Sequence, residues 1–227
     1  MSGRLIVIST PIGNLQDLPP RARQGFEQAD LVLCEDTRHT GRLLSGLGID
    51  KRLMSLHEHN ERGRVAGLIE MLEQGATLAL AGDAGTPLIS DPGFLLVRAA
   101  VAAGITVEHR PGPSAVVSAL VLSGLPPYPF TFTGFPPRKR GKRRRFYRSF
   151  AALDHTLVLF ESPHRLLASL DDAAVELGNR PAAIARELTK LHEEVLHGRL
   201  AELRETLAGR PSLKGEFTLV IAPPDGE

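Results

Sequence analysis

The sequence holds one cysteine, Cys34, no tryptophan and only two tyrosines in 227 residues. A lone thiol excludes an intrachain disulfide and a cysteine-rich zinc site, and it suits a reducing compartment, so a cytoplasmic location is expected. Long apolar runs are missing too. The N-terminal run Leu5 to Ile8 is too short for a signal-peptide core, and nothing approaches the ~18 residues of a membrane span, which predicts a soluble protein with no membrane partner. Net charge is only +1. That near-balance hides a focus, because eight of the eleven residues from Arg138 to Arg148 are Arg or Lys. The 42% hydrophobic content is enough to fill the core of one large or two modest domains.

Short apolar runs alternate with segments of helical period through the first half. "RLIVIS" precedes a helix over Pro19 to Ala29, "DLVLCED" one over Thr37 to Leu47, and "KRLMSLH" one over Asn60 to Gln74. "ATLALAGD" is then followed by a helix over Pro92 to Ala103 and by "ITVEHR". This rhythm predicts an α/β layer of largely parallel, buried strands. Asp91 and Asn60 are placed to cap the helices that follow them. The second half is more broken. "PPYPFTFTGFPP" leads into the basic run, followed by the strand-like "HTLVLFES", "PAAIARELTK", "HEEVLHG" and "GEFTLVIAP", with helices over Pro163 to Leu177 and Leu200 to Ala208. Two α/β domains are expected, 1–124 and 125–227, divided where two prolines follow Gly124.

The segment "ALAGDAGTPLISDPG", Ala79 to Gly93, has the look of a ligand loop after a strand. Its spacing is not the G-x-G-x-x-G of dinucleotide sites, Pro87 removes an amide donor, and the Asp83 carboxylate disfavours phosphate. A small ligand bearing hydroxyls and cationic groups fits better, and S-adenosylmethionine is one. A tight strand-to-helix turn with Asp83 capping the backbone accounts for the same residues. "STPIGN" and "RPGPSA" break two further strands at their carboxyl ends, the edge at which open α/β sheets bind ligands.

The motifs "TPIGNLQDLPPRA", "CEDTRHTGRLL", "SLHEHNE", "AGDAGTPLISDPG", "PGPSAVVSAL", "FESPHRL", "ARELTKLHEE" and "GEFTLVI" span nearly the whole chain. Together they resemble the ribosomal RNA branch of the tetrapyrrole methylase superfamily. The resemblance implies two α/β domains of the tetrapyrrole methylase type with the cofactor cleft between them, and a homodimer. It also implies S-adenosyl-L-methionine-dependent 2′-O-methylation of a cytidine in the decoding region of 16S ribosomal RNA, within the 30S subunit. By matching motif, the cofactor residues are Pro11, Gly82, Asp83, Ala84, Pro87, Ser114 and Ala115, with Phe160, Glu161, Leu188 and Gly215 from the second half. Family members often continue past "GEFTLVI", whereas this sequence ends at Glu227; if that segment holds RNA, this chain binds its target more weakly.

A ribose 2′-hydroxyl is a weak acid, so a proton acceptor or orienting group helps. In "CEDTRHT", Asp36 is the expected orienting or accepting group with Glu35 beside it, although an acid there also serves as a helix cap. Arg38 is expected on a phosphate. Lys190 of "ARELTK" would contact phosphate or acidify the hydroxyl, or is simply a solvated lysine. His57 and His59 lack a third ligand, and no metal is expected. Ser162 and His164 read as a capping turn. The basic run, with Arg138, Lys139, Arg140, Lys142, Arg143, Arg144 and Arg145, reads as an RNA-contact loop with aromatics behind it. Carbon methylation of a tetrapyrrole and a non-catalytic RNA-binding ribosome-assembly factor remain as alternative functions.

Overall fold

The computed structural model describes residues 3–224. The chain forms two compact units, divided between Ser114 and Ala115. The first alternates β1 (Arg4–Ile8), α1 (Pro20–Gln28), β2 (Leu31–Cys34), α2 (Thr37–Gly46), β3 (Leu53–Ser55), α3 (Glu61–Glu73), β4 (Thr77–Ala81), α4 (Phe94–Ala102) and β5 (Thr106–Arg110). Its strands are all parallel, in the order β3-β2-β4-β1-β5. Alternation along β1 explains the two-sided burial: Leu5 and Val7 join Leu68, Leu72, Leu96 and Ala100 of α3 and α4, while Ile6 and Ile8 join Ala22, Phe26 and Leu44 of α1 and α2. The chain leaves β1 in one direction and β4 in the other, so the loops after these two paired strands share the topological switch of the sheet.

The second unit contains α5 (Ala115–Leu122), β6 (Phe130–Phe132), α6 (Arg140–Arg148), β7 (Thr156–Glu161), α7 (Leu166–Leu177), β8 (Pro181–Arg186), β9 (Glu194–Arg199), α8 (Leu200–Ala208) and β10 (Phe217–Ile221). Its sheet is mixed, in the order β6-β7-β10-β8-β9. Because β7 and β8 both run antiparallel to β10, and β6 runs parallel to β7, the ends of β6, β7 and β8 meet the start of β10 at one edge. The core below holds Leu157, Leu159, Leu170, Ile184, Leu203 and Leu219 with the buried ring of Tyr147, whose hydroxyl meets Ser169 Oγ at 2.6 Å.

The structure departs from the sequence expectations locally. The division at Ser114 lies before α5 rather than after Gly124, because α5 packs on β7, β8 and β10 of the second sheet. The helix expected from Pro92 begins at Phe94, following Gly93 at φ +116°, and Glu61 of α3 rather than Asp91 caps it, its Oε1 accepting from Leu95 N at 2.8 Å and Leu96 N at 3.1 Å. Asp91 therefore has a different use. Asn60 occupies the cap position of α3 without a capping bond; its Oδ1 accepts from His57 N at 2.9 Å instead. The basic run is not a loop. From Arg140 it is helix α6, and α7 starts at Leu166 after a turn over residues 163–165.

Candidate functional site

In the first unit, the loop after β4 is fastened to the end of β1. Thr10 and Gly85 exchange backbone hydrogen bonds at 2.9 and 3.1 Å, and Thr10 Oγ1 donates to Gly82 O at 3.1 Å. The fully buried Ser9 adds a second tie: its hydroxyl lies 3.0 Å from Thr86 Oγ1 and 3.2 Å from His109 Nε2. The loop is thus braced from the end of β1 directly and from β5 through Ser9, with Gly82 and Pro87 buried, Pro11 and Asp83 half-buried, and Ala84 exposed. A Cβ on Gly82 would lie 2.5 Å from Asp91 Oδ2, so glycine there admits the carboxylate. Leu88 and Ser90 hold positive φ angles of 72° and 69°, a costly conformation for residues other than glycine.

Carboxylates gather around it. Asp83 Oδ1 accepts from Asp36 N at 3.2 Å, joining the end of β2 to the loop. Asp91 is pushed up to about 7, first by burial and then by the charges of Glu35 and Asp83. Glu35 is also raised; desolvation of its carboxyl leads, followed by the charges of Asp83 and Glu58. Asp36 goes the other way. It caps α2 by accepting from Arg38 N at 2.8 Å, and its carboxylate takes Arg38 Nη2 at 2.7 Å, so it is held far below the usual aspartate range. Arg38 remains largely exposed while making this pair. An acidic surround of this kind suits a cationic ligand, which would lower the raised carboxyls.

The expected residues of the second unit lie at its shared sheet edge. Phe160 and Glu161 end β7, Leu188 is buried just after β8, and Gly215 precedes β10. Gly215 sits at φ +101°, where a Cβ would lie 2.6 Å from the Glu187 side chain. Glu187 and Thr189 themselves carry positive φ angles of 51° and 65°. Glu161 is 2% exposed; its Oε1 accepts from Ser162 N at 2.8 Å and pairs with Arg165 at 3.0 Å. Its Oε2 is buried with no hydrogen-bond partner among the described residues, as are Thr133 Oγ1 and Thr189 Oγ1. Three unsatisfied polar atoms at one strand edge fit a ligand with N–H and O–H groups. Lys190 is not a free lysine. Burial opposes its charge, but Glu187 at 2.9 Å and Glu216 at 3.0 Å outweigh that and hold it above the usual lysine range.

Ser114 closes the first unit and Ala115 opens α5. Among the basic residues, Arg143 is buried against Asp172, with Nη2 to Oδ2 at 2.7 Å. Arg144 and Arg148 pair with Glu176, and the exposed Arg140 reaches Asp172 at 3.4 Å. Arg138, Lys139, Lys142 and Arg145 are exposed. Sequence reasoning missed the Ser9, Thr86 and His109 contacts, and it assigned Asp91 to a cap; the nearby "SDPG" carried the signal only as turn chemistry. Among the described residues, no group of His, Cys, Asp and Glu is arranged to hold a metal.

Residues 4–204 match the family described as Tetrapyrrole (Corrin/Porphyrin) Methylases. The chain belongs to the tetrapyrrole methylase family. Two tetrapyrrole methylase relatives carry the name Ribosomal RNA small subunit methyltransferase I. That of Micromonospora olivasterospora is 48% identical over 221 residues, covering 97% of this chain and 71% of the relative. That of Xylella fastidiosa is 49% identical, covering 96% and 81%. The tetrapyrrole methylase fold is shared with solved structures of low identity. Diphthine synthase aligns with a TM-score of 0.73 at 17% identity, covering 99% of this chain and 92% of the other. Uroporphyrin-III C-methyltransferase from Thermus thermophilus, complexed with S-adenyl homocysteine, aligns with a TM-score of 0.67 at 20% identity, covering 97% of each. The α/β fold and the family resemblance expected from the motifs are both borne out.

Proposed function

We propose that the chain is an S-adenosyl-L-methionine-dependent methyltransferase of small-subunit ribosomal RNA, acting on the 2′-oxygen of a cytidine in the decoding region of 16S RNA. The observation that carries this reading is the 48–49% identity, over nearly the whole chain, to relatives named for small-subunit ribosomal RNA. Action on the assembled 30S particle and a homodimeric state belong to the same proposal. The donor sets of the two units suit the cofactor's chemistry. The first offers carboxylates to cationic groups; the second offers buried oxygens to an amine and hydroxyls.

Bound S-adenosylmethionine supplies an electrophilic methyl carbon on a sulfonium. The protein's main task is positioning, since holding nucleophile and electrophile about 3 Å apart supplies roughly 7–11 kcal/mol of the barrier. The braced loop from Gly82 to Pro87 gives the first unit a rigid wall for this purpose. Glu35 is the better matched proton acceptor, because its raised carboxyl lies nearer neutrality than that of Asp36. Asp36 orients Arg38 toward an RNA phosphate, as a positioning residue. Lys190, clasped by two carboxylates, fixes the Glu187 to Lys190 segment, and those carboxylates offset the field by which its charge would acidify a hydroxyl.

The test is incubation with methyl-labelled S-adenosylmethionine and, separately, unmethylated 30S subunits, stripped 16S RNA and a tetrapyrrole precursor. Label mapped by nuclease digestion and mass spectrometry to a cytidine ribose supports the proposal. Label on the tetrapyrrole alone overturns it.

A further inference from the structure

The second unit carries an exposed aromatic ring, Phe135, a few residues ahead of its exposed cations in the sequence. Phe135 follows Gly134, which sits at φ +67° just past β6, and its side chain is 52% exposed. A single exposed ring is ordinary on a protein surface, but this one is held in place. Its centroid lies 5.5 Å from that of Phe160, which also stacks edge-on with Phe132 at 4.9 Å. The Arg165 guanidinium lies 6.0 Å from the Phe135 centroid. Arg165 is itself fixed by three groups: Pro136 O at 3.2 Å, Ser162 Oγ at 2.9 Å and Glu161 Oε1 at 3.0 Å. Phe160 N donates to Gly134 O at 3.1 Å, so backbone as well as side chains set the ring's position.

Three residues beyond Phe135 the basic stretch begins, and α6 divides its cations by face. Arg143, Arg144 and Arg148 turn to Asp172 and Glu176 of α7. Lys142 and Arg145, three apart on the helix, stay exposed with Arg138 and Lys139 before its first turn. The buried arginines anchor the helix, and the exposed cations are left to an outside partner. A ring braced from below beside the fixed Arg165, with exposed cations beginning three residues further along the chain, has the composition of a single-strand platform, in which bases stack and phosphates pair.

We infer that Phe135 is a base-stacking platform for single-stranded RNA, with Arg138, Lys139, Lys142 and Arg145 holding the adjoining phosphates. This rests on the proposed RNA reading and extends it to a residue outside the cofactor and basic motifs. RNA is favoured over a tetrapyrrole because a strand engages stacking and several phosphates at once, whereas a small ring has no use for so extended a row of cations.

The experiment measures binding of fluorescein-labelled oligouridine, an RNA duplex of equal length, and heparin to the full chain across a salt series. The proteins are the wild type, Phe135→Leu, Phe135→Trp and the double variant Lys142→Gln/Arg145→Gln. Leucine keeps an apolar contact for Phe160 but cannot stack, and circular dichroism checks folding. Phe135→Leu should weaken oligouridine binding about tenfold, leave heparin and S-adenosylmethionine affinity unchanged, and keep the salt slope; Phe135→Trp should restore binding. The double variant should lower the slope by about 1.4, at roughly 0.7 per lost single-strand phosphate contact. Unchanged oligouridine binding by a folded Phe135→Leu, or a loss confined to S-adenosylmethionine, overturns the platform. Methylation of 30S subunits by the wild type, run in parallel, separates the two failures. If the wild type labels RNA and Phe135→Leu binds normally, only the platform fails; if it labels a tetrapyrrole alone, both fail.

Discussion

Asp172→Ala tests whether the basic helix is built as the geometry says. The Asp172 and Arg143 side chains are 3% and 6% exposed, and Arg143 meets Asp172 Oδ2 through Nε at 2.8 Å and Nη2 at 2.7 Å. Its other partners are two backbone carbonyls, Arg138 O at 3.2 Å and Ala168 O at 3.3 Å. Truncating the aspartate leaves a buried guanidinium with no counter-charge, which costs about 3–5 kcal/mol. The second pair on the same carboxylate, to the 78% exposed Arg140, adds at most about 0.5 kcal/mol. For a chain of this size the midpoint should fall by roughly 6–20 °C, at about 2–4 °C per kcal/mol. Thermal melts followed by circular dichroism read this directly, with Arg145→Ala as an exposed control expected within about 0.5 kcal/mol of wild type. A fall of less than about 2 °C for Asp172→Ala would refute the assignment of Arg143 as a structural anchor. The double change Arg143→Met/Asp172→Leu removes both charges and should recover most of the loss, because replacing a buried pair with apolar groups is often neutral or better. It follows that charge reversal across Arg143, Arg144 and Arg145 together confounds unfolding with lost RNA contact, and the RNA role has to be tested at Arg145 and Lys142.

Asp91→Asn should stabilise the protein at pH 8 but not at pH 4. The folded Asp91 titrates near 7, above its unfolded value of about 4, so its ionisation between those values opposes folding. The shift of about three units corresponds to ~4 kcal/mol, reduced to about 2 kcal/mol for a partly exposed carboxyl; urea melts that show the same gap at both pH values would contradict it. Asp36→Ala should destabilise through the lost cap, while Asp36→Ser keeps a cap and loses only the Arg38 pair, so thermal melts should place Asp36→Ser above Asp36→Ala. If methylation by Asp36→Ser equals wild type at every RNA concentration, Asp36 has no role beyond capping. Gly215→Ala places a methyl against Glu187 at a positive φ and should destabilise by about 1–3 kcal/mol, while weakening S-adenosylmethionine binding measured by calorimetry.

The first unit was legible in the sequence because its physics is local. A buried parallel strand needs a continuous apolar run such as "LIVI" or "TLALA", and each crossover needs an amphipathic helix, so the periodicities alone mark the layer. The loops at the carboxyl edge were legible for the same reason, as glycine and proline interrupting those runs. What could not be read was pairing at a distance. Asp91 beside a proline is capping chemistry in sequence, yet Gly82, nine residues earlier, leaves room for its carboxylate to fold back. The basic run illustrates the same limit more sharply. Eight cations in eleven residues repel one another and suggest a solvated loop, and that repulsion opposes the good helix propensity of Arg and Lys. The partners that make it a helix, Asp172 and Glu176, are four residues apart on α7 and thus share one face of α7. Charge density in the run therefore marked an interaction surface, while the division between anchoring and exposed cations depended on a helix some thirty residues further along the chain.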